Sequence, residues 1–301
     1  MSTTAGTALV IISSIAFGTM PLFARLAYAD GIEPVSLLFF RFTIAAVFMG
    51  ILMLIRKERF PALKLAAGLA LMGAIGYVGQ SLCFFTALTM ANSGLVVLLL
   101  YLYPALVALL SAVFHGERLN GLRGVAVALA FLGTALTVGP QLNARPLGVV
   151  LGISAACIYS LYIMAGNRLM RKVTPIAGSA VIMAAAGAAF GLLSVRQGIT
   201  LPHSLSGWTG VIGLAIVATV IAVTTFLVGL TVIGPTKASV LSTFEPVTAI
   251  ILAAFFLGEP IGFWTLAGGV LIISATIILA RSEGSPAPRA VPATRRPWFG
   301  R

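Results

Sequence analysis

The chain has 301 residues, of which 59% are hydrophobic and only 9% are Asp, Glu, Lys or Arg, against roughly 25% charged residues in soluble domains. So few charges cannot cover the water-facing surface of a chain this long, and the mean hydropathy of +1.09 agrees. A soluble enzyme, a disordered chain and a nucleic-acid binder are therefore poor readings, and the net charge of +12, which comes in short basic tracts between apolar runs, is the pattern that writes membrane topology.

A helix needs about 20 mostly apolar residues to cross the hydrocarbon core. Ten stretches qualify, at residues 4–26, 34–55, 65–88, 92–114, 121–139, 146–167, 177–196, 207–231, 235–257 and 261–280. The expected fold is an all-α membrane protein of ten transmembrane helices with short connections. The first run has no Lys or Arg before it and exceeds a signal-peptide core, so it reads as a retained helix.

Polar and aromatic residues within the spans are the candidates for a cavity wall. The first span offers Phe17 and Thr19 before Pro21. In the second, Arg41 lies roughly 10 Å along the helix from Pro34 at 1.5 Å per residue. Its first reading is snorkelling outward or pairing with Asp30 or Glu33 of the preceding loop. Its second is a functional intramembrane charge. The third span places Tyr77, Gln80, Ser81 and Phe84 at i, i+3, i+4 and i+7, one helical face. Tyr101 and Tyr103 precede Pro104 in the fourth on nearly opposite faces, so at most one is expected to reach a cavity. Tyr159, Ser160 and Tyr162 follow in the sixth span, and Thr224, Thr225 and Phe226 in the eighth. The ninth holds Ser242 and Glu245, with Pro246 next to free a backbone carbonyl and kink the helix. Glu245 either bonds to that freed backbone or serves the site. Some hydroxyls are expected to bond across packed helices instead. Glu117 and Glu259, in turns before the fifth and tenth spans, read as caps of those helix N-termini. Glycines such as Gly73, Gly133 and Gly268 mark close helix packing.

Placing both termini in the cytoplasm leaves only Arg25, Arg145 and Arg196 on the outer side, with Arg41 inside a span, and puts every other Lys and Arg within. That bias fixes the expected orientation. The segment 281–301, rich in Pro, Arg and Ser, is expected to be a disordered basic cytoplasmic tail.

The chain also repeats itself. A shift of 142 brings Phe84 onto Phe226, Pro104 onto Pro246, Gly116 onto Gly258 and Glu117 onto Glu259. A Gly-Glu pair recurring at one offset, in a chain with seven acidic residues, is not a composition effect. Each copy holds five spans, an odd number, so the second should enter the membrane from the opposite face: residues 4–139 form one five-helix repeat and 146–280 its inverted partner. Such repeats are the architecture of secondary transporters, with substrate near the midplane.

Ten spans in a five-plus-five repeat, with Pro104…Gly116-Glu117 closing one half and Glu245-Pro246…Gly258-Glu259 the other, resemble the drug/metabolite transporter superfamily of EamA type. Within it the chain is similar to bacterial exporters of aromatic and other amino acids. The resemblance implies a carrier in the inner membrane.

The chemistry of conversion is missing. No phosphate-cradling G-x-x-x-x-G-K-[ST] loop occurs. His115 and His203 have no second metal ligand nearby, and Cys83 and Cys157 offer neither a disulfide framework nor metal spacing. No cofactor or metal is expected, and an intramembrane enzyme would need a nucleophile or metal that the sequence does not supply. The candidate wall of Phe17, Thr19, Tyr77, Gln80, Ser81, Phe84, Tyr101, Tyr159, Tyr162, Thr225, Ser242 and Glu245, with Arg41 as the second intramembrane charge, suits an apolar organic solute with one or two polar handles. The expected function is export of an aromatic or other apolar amino acid by alternating access. An exporter of organic cations, with Glu245 as counter-charge, is the alternative, and a non-transporting scaffold the third reading. Lacking any other placed carboxylate, the carrier is expected to work as a facilitator or exchanger with no strict ion requirement.

Overall fold

A computed structural model describes residues 2–115, 121–138 and 145–283. Ten helices in it are long and apolar enough to cross a membrane: α1 (Thr3–Ala29), α2 (Pro34–Ile55), α3 (Leu63–Ala87), α4 (Ser93–Phe114), α5 (Gly121–Val138), α6 (Pro146–Gly166), α7 (Pro175–Gln197), α8 (Leu205–Ile233), α9 (Lys237–Leu257) and α10 (Phe263–Ser282). Among the described residues there is no strand. The expected boundaries hold to within a few residues. Helical structure continues through Glu283, so the start of the expected tail is helix, and the rest of that segment lies outside the described residues.

The helix starts are written in local sequence. Pro34, Pro146 and Pro175 open α2, α6 and α7, where the missing N–H has no intrahelical partner to lose. Thr174 and Ser204 cap α7 and α8, their hydroxyls accepting from the Ala177 and Gly207 amides.

The interiors are less regular. α1 is interrupted at Thr19, α4 at Tyr101–Leu102 and α9 at Ser242–Thr243, each break two to four residues before a proline that cannot donate to the preceding turn. α3 and α8 each carry a π-helical stretch at mid-length, Met72–Tyr77 and Ile216–Ile221. Third and eighth spans, and fourth and ninth, thus share the same irregularities half a chain apart.

The main helix pairs are α1 with α8, α3 with α6, α2 with α7, and α5 with α10. Exchanging the two halves of the chain maps this set onto itself, as a repeat of five requires. Small residues set the close approaches. A Cβ on Gly268 of α10 would lie 2.4 Å from the Gly133 carbonyl oxygen of α5, and one on Gly73 of α3 would lie 2.3 Å from the Ile182 carbonyl oxygen of α7. The outward residues are apolar, among them Leu54, Ile55, Leu192, Val195 and Phe255. That is the surface expected against hydrocarbon, where no water drives the helices together and packing has to.

Two ends of the bundle differ. One, the basic face, carries Arg56, Lys57, Arg59, Lys64, Arg171, Lys172 and Arg281. At the other, Asp30 in the α1–α2 turn accepts from the amides of His203 (2.6 Å) and Ser204 (3.1 Å). The Ser204 side chain first, and then these two amides, hold the Asp30 carboxyl below its ordinary pKa.

Candidate functional site

A cavity of about 120 Å³ lies where α1, α2, α3, α4, α6 and α9 converge. Its wall is formed by Phe17, Gly18, Met20 and Pro21, by Arg41, by Tyr77, Gln80, Phe84 and Phe85, by Val97, Leu100, Tyr101 and Tyr103, by Tyr159, and by Glu245 and Ala249. The interruptions of α1, α4 and α9 all fall at this level, so the broken helices supply much of the wall.

Arg41 is 2% exposed. Its Nε donates to the Thr219 hydroxyl at 2.9 Å, and its guanidinium carbon lies 5.0 and 5.2 Å from the ring centroids of Phe42 and Phe85. Thr219 can serve because it sits in the π-helical stretch of α8, where its own hydroxyl proton goes to the Leu214 carbonyl five residues back (2.8 Å). A desolvated guanidinium against two ring faces gains cation–π attraction that a hydrated one does not. The snorkelling and loop-pairing readings of Arg41 are thereby corrected. The charge is held inward by Thr219 and the two rings, while Asp30 is engaged by the His203 and Ser204 amides.

Glu245 stands just past the break in α9. The Tyr101 hydroxyl, at the break in α4, donates a bifurcated hydrogen bond to the Ser242 carbonyl (2.8 Å) and to Glu245 Oε2 (3.0 Å). The two broken helices are therefore tied at the cavity by one phenol. Tyr101 is also the start of an aromatic chain. Tyr101 meets Tyr103 edge-on at 6.0 Å, Tyr103 meets Tyr159 at 4.9 Å, and Tyr159 and Tyr162 lie near parallel at 6.0 Å. Tyr162 reaches Tyr77 at 5.6 Å and Tyr77 reaches Phe42 at 5.0 Å. Five of the six tyrosines in the chain join this cluster.

Of the expected wall residues, Phe17, Tyr77, Gln80, Phe84, Tyr101, Tyr159, Glu245 and Arg41 line the cavity. Thr19 does not; its hydroxyl returns to the Ala16 carbonyl at the break of α1. Ser81 is buried beside the wall and donates to Gln80 Oε1. Tyr162 stands behind the wall. Thr225 donates to the Ile221 carbonyl, and the Ser242 hydroxyl to that of Ala238, leaving only its carbonyl to face Tyr101. Ser160 bonds the Ala156 and Tyr103 carbonyls. Both Tyr101 and Tyr103 reach the cavity, against the expectation that only one would, because the helix is broken between them and their faces need not oppose.

Phe85 and Tyr103 on the wall and Thr219 on Arg41 were missed in the sequence, as were the aliphatic and small wall residues Gly18, Met20, Val97, Leu100 and Ala249, and the repeat could have found Tyr103 and Thr219. At the same shift of 142, Phe17 corresponds to Tyr159, Tyr77 to Thr219 and Tyr103 to Glu245. Five of those six line the cavity, and the sixth, Thr219, holds Arg41 against it. Phe85 carried no such signal.

Glu259 corrects another expectation. Its Oε2 accepts from the Ser93 amide and its Oε1 from the Ser93 hydroxyl, both at 2.7 Å, and Arg25 Nη2 lies 3.6 Å away. Glu259 thus caps the N-terminus of α4, not that of α10 which it precedes in sequence. Glu117 lies outside the described residues. Arg25 also donates to the Ala91 carbonyl at 2.8 Å. This clasp joins α1, α4 and the α9–α10 turn at the end of the bundle away from the basic face.

Ten apolar helices around a charged, aromatic cavity, with that cavity lined by broken helices from both halves, define a membrane carrier. The EamA-like transporter family model matches twice, over residues 4–139 and 146–281. This chain belongs to that family and is a multi-pass membrane transporter. It is 25% identical to an uncharacterised transporter of Archaeoglobus fulgidus over 92% of this chain and 96% of that one. It is 27% identical to the aromatic amino acid exporter YddG of Ancylobacter novellus over 69% of this chain and 75% of that one. A solved crystal structure shares the fold with a TM-score of 0.67 and 21% identity, covering 95% of this chain and 100% of the other.

Proposed function

We propose that this transporter exports aromatic and other apolar amino acids from the cytoplasm, by alternating access between two inverted five-helix halves. The observation that carries the reading is the presence of Arg41 and Glu245 on the wall of one small aromatic cavity. A cation and an anion beside each other's target match a zwitterion: the guanidinium takes the substrate carboxylate, which it can bind bidentately, and Glu245 takes the ammonium. The tyrosine and phenylalanine rings take the apolar side chain. The YddG relative, named for aromatic amino acids, points the same way. Organic cations are the second reading, since Glu245 alone would attract them, but Arg41 on the same wall repels a solute with no anionic group.

The basic face is the cytoplasmic one by its Lys and Arg content, which puts both termini inside the inner membrane. Alternating access rests on an asymmetry. At the clasp end, α4 is buried from Ser93 to Leu99 and packs on α9, where a Cβ on Gly94 would meet Ile250 at 3.2 Å. At the basic end, the corresponding first half of α9 exposes Lys237 and Ser239, and among the described residues no comparable packing joins it to α4. The carrier is thus closed outward and loose inward. Movement follows the substrate's own gradient, as facilitator or exchanger.

Proteoliposomes loaded with phenylalanine should exchange labelled phenylalanine without a pH or sodium gradient. Unlabelled tryptophan and tyrosine should compete and tetraalkylammonium ions should not. Competition by the cations alone would transfer the assignment to the second reading, and absence of any saturable flux would remove both.

A further inference from the structure

A second cavity is larger than the central one. A groove of about 570 Å³ lies between the end of α2 and the second half of α8, floored by the start of α7. Its cause is the way the neighbours are held. α2 packs on α7 along its length and on the first half and π-helical stretch of α8. Beyond that stretch α8 leans onto α1 instead, where a Cβ on Gly229 would lie 2.6 Å from Val10 and 2.9 Å from the Gly6 carbonyl oxygen. The two helices diverge, and a wedge opens toward the basic face.

The wedge is apolar in a specific way. Phe48, Ile51, Ile55 and Leu227 supply hydrocarbon. Thr224 and Thr231 also line it, but their hydroxyls are spent on the Val220 and Val228 carbonyls of their own helix (2.6 and 2.8 Å), so neither needs a partner from the groove. At its mouth stand Glu58 and Arg56. Glu58 is taken, since its carboxylate accepts from the Thr174 hydroxyl that caps α7. The Arg56 guanidinium has no hydrogen-bond or ion-pair partner among the described residues, and Lys57, Arg59 and Lys64 follow it in the chain. The uncompensated charge at the mouth is positive.

We propose that this groove is a lipid site: it holds one acyl chain of an anionic phospholipid from the leaflet at the basic face, with the lipid phosphate on Arg56. A groove open to the bilayer and unable to hydrogen-bond excludes water and takes hydrocarbon. Basic side chains at such a mouth select anionic headgroups. The back wall of the groove includes Val220, next to the Thr219 that holds Arg41, so the lipid chain lies behind the central cavity. Nothing in the proposal depends on which solute that cavity carries.

The full-length protein in mild detergent, offered equal phosphatidylglycerol and phosphatidylcholine with identical chains, should retain one phosphatidylglycerol in native mass spectrometry, at about fivefold preference for one well-placed arginine. Arg56→Gln should erase the preference while leaving residual adducts, and Arg56→Lys should keep most of it. Leu227→Trp, which fills the wedge, should lower binding of both lipids; Val228→Phe does the same should the first variant fold poorly. Equal retention of both lipids by the native protein, or a preference that survives Arg56→Gln and both filling variants, overturns the proposal. So does a Leu227→Trp protein that keeps its lipid and loses transport, since the groove would then be a route for the solute.

Discussion

Arg41 shows how one side chain can be mislocated by counting residues. Its depth along the second span is marginal, and from sequence its nearest partners are Asp30 and Glu33. The decisive neighbours, Thr219, Phe42 and Phe85, are a hydroxyl from 178 residues away and two rings. Of these, Thr219 owes its place to a π-helical stretch that hydropathy does not reveal. Burial without a carboxylate partner predicts a demanding site. Arg41→Gln should weaken apparent affinity for amino acids by about tenfold or more, the scale of a charge-assisted hydrogen bond, with little change for solutes lacking a carboxylate. Arg41→Lys should not restore it, because an ammonium cannot offer the forked donor set. A radiotracer competition series on the two variants decides; equal losses for acids and their amides would show Arg41 to be structural. Tyr101→Phe leaves Glu245 and the Ser242 carbonyl without their shared donor, and should cost about 1–3 kcal/mol of stability in thermal unfolding. Asp30 gives the pH test. Its pKa is depressed in the folded protein by the hydrogen bonds of the Ser204 segment, so the contact is intact above the ordinary aspartate range and is lost as pH falls through the lowered value. The protection factors of the His203 and Ser204 amides, which divide out the intrinsic pH dependence of exchange, should hold from about pH 8 to pH 5 and fall only in acid below the ordinary aspartate range.

At the level of helices, the spans were legible because each must present some 20 apolar residues to lipid, which composition alone reports. What was not legible is which way a side chain points once a helix is broken or carries a π turn. Ser81 was assigned from a 3.6-residue period that Tyr77, Gln80 and Phe84 obey, and Thr225 as one of a run of polar and aromatic residues; both hydroxyls ended on local partners. The break between Tyr101 and Tyr103 worked the other way and brought both rings to one cavity. Close packing is the second element-scale feature. α5 and α10 contribute no residue to the cavity but meet at Gly133 and Gly268. A Cβ on Gly268 meets backbone 2.4 Å away, which cannot yield cheaply. Gly268→Ala should lower stability by about 1–3 kcal/mol, read as a shifted unfolding midpoint, while transport per folded molecule is unchanged. A loss of specific activity in protein of full stability would show that these helices move with the cycle.

For the whole molecule, the repeat was the strongest signal in the sequence, and the paired irregularities of α3 with α8 and α4 with α9 agree with it. The clasp was invisible, because Glu259, Ser93 and Arg25 come from three distant segments and nothing in a linear chain brings them together. It bears on the cycle. With Glu259→Gln the Ser93 amide keeps an acceptor but loses its charge, and Arg25 loses its counter-ion. The clasp end should then open more often, seen as faster thiol labelling of an Asn92→Cys reporter from the outside of intact cells. Unchanged labelling would mean that this end is held by apolar packing alone.

The matched positions of the cavity have a consequence for how a solute can lie in it. Were the two halves alike, every pose of a guest would have a twin of equal energy, turned end for end. Phe17 with Tyr159 comes close to that palindrome. The charges break it, since Arg41 answers to Met183 and Glu245 to Tyr103. Under the proposed function, a dipolar guest has a single heading, and an alternating-access cycle would carry it with that heading unchanged from one side of the membrane to the other. On that reading it would leave facing the way it came in, a passenger that never turns round.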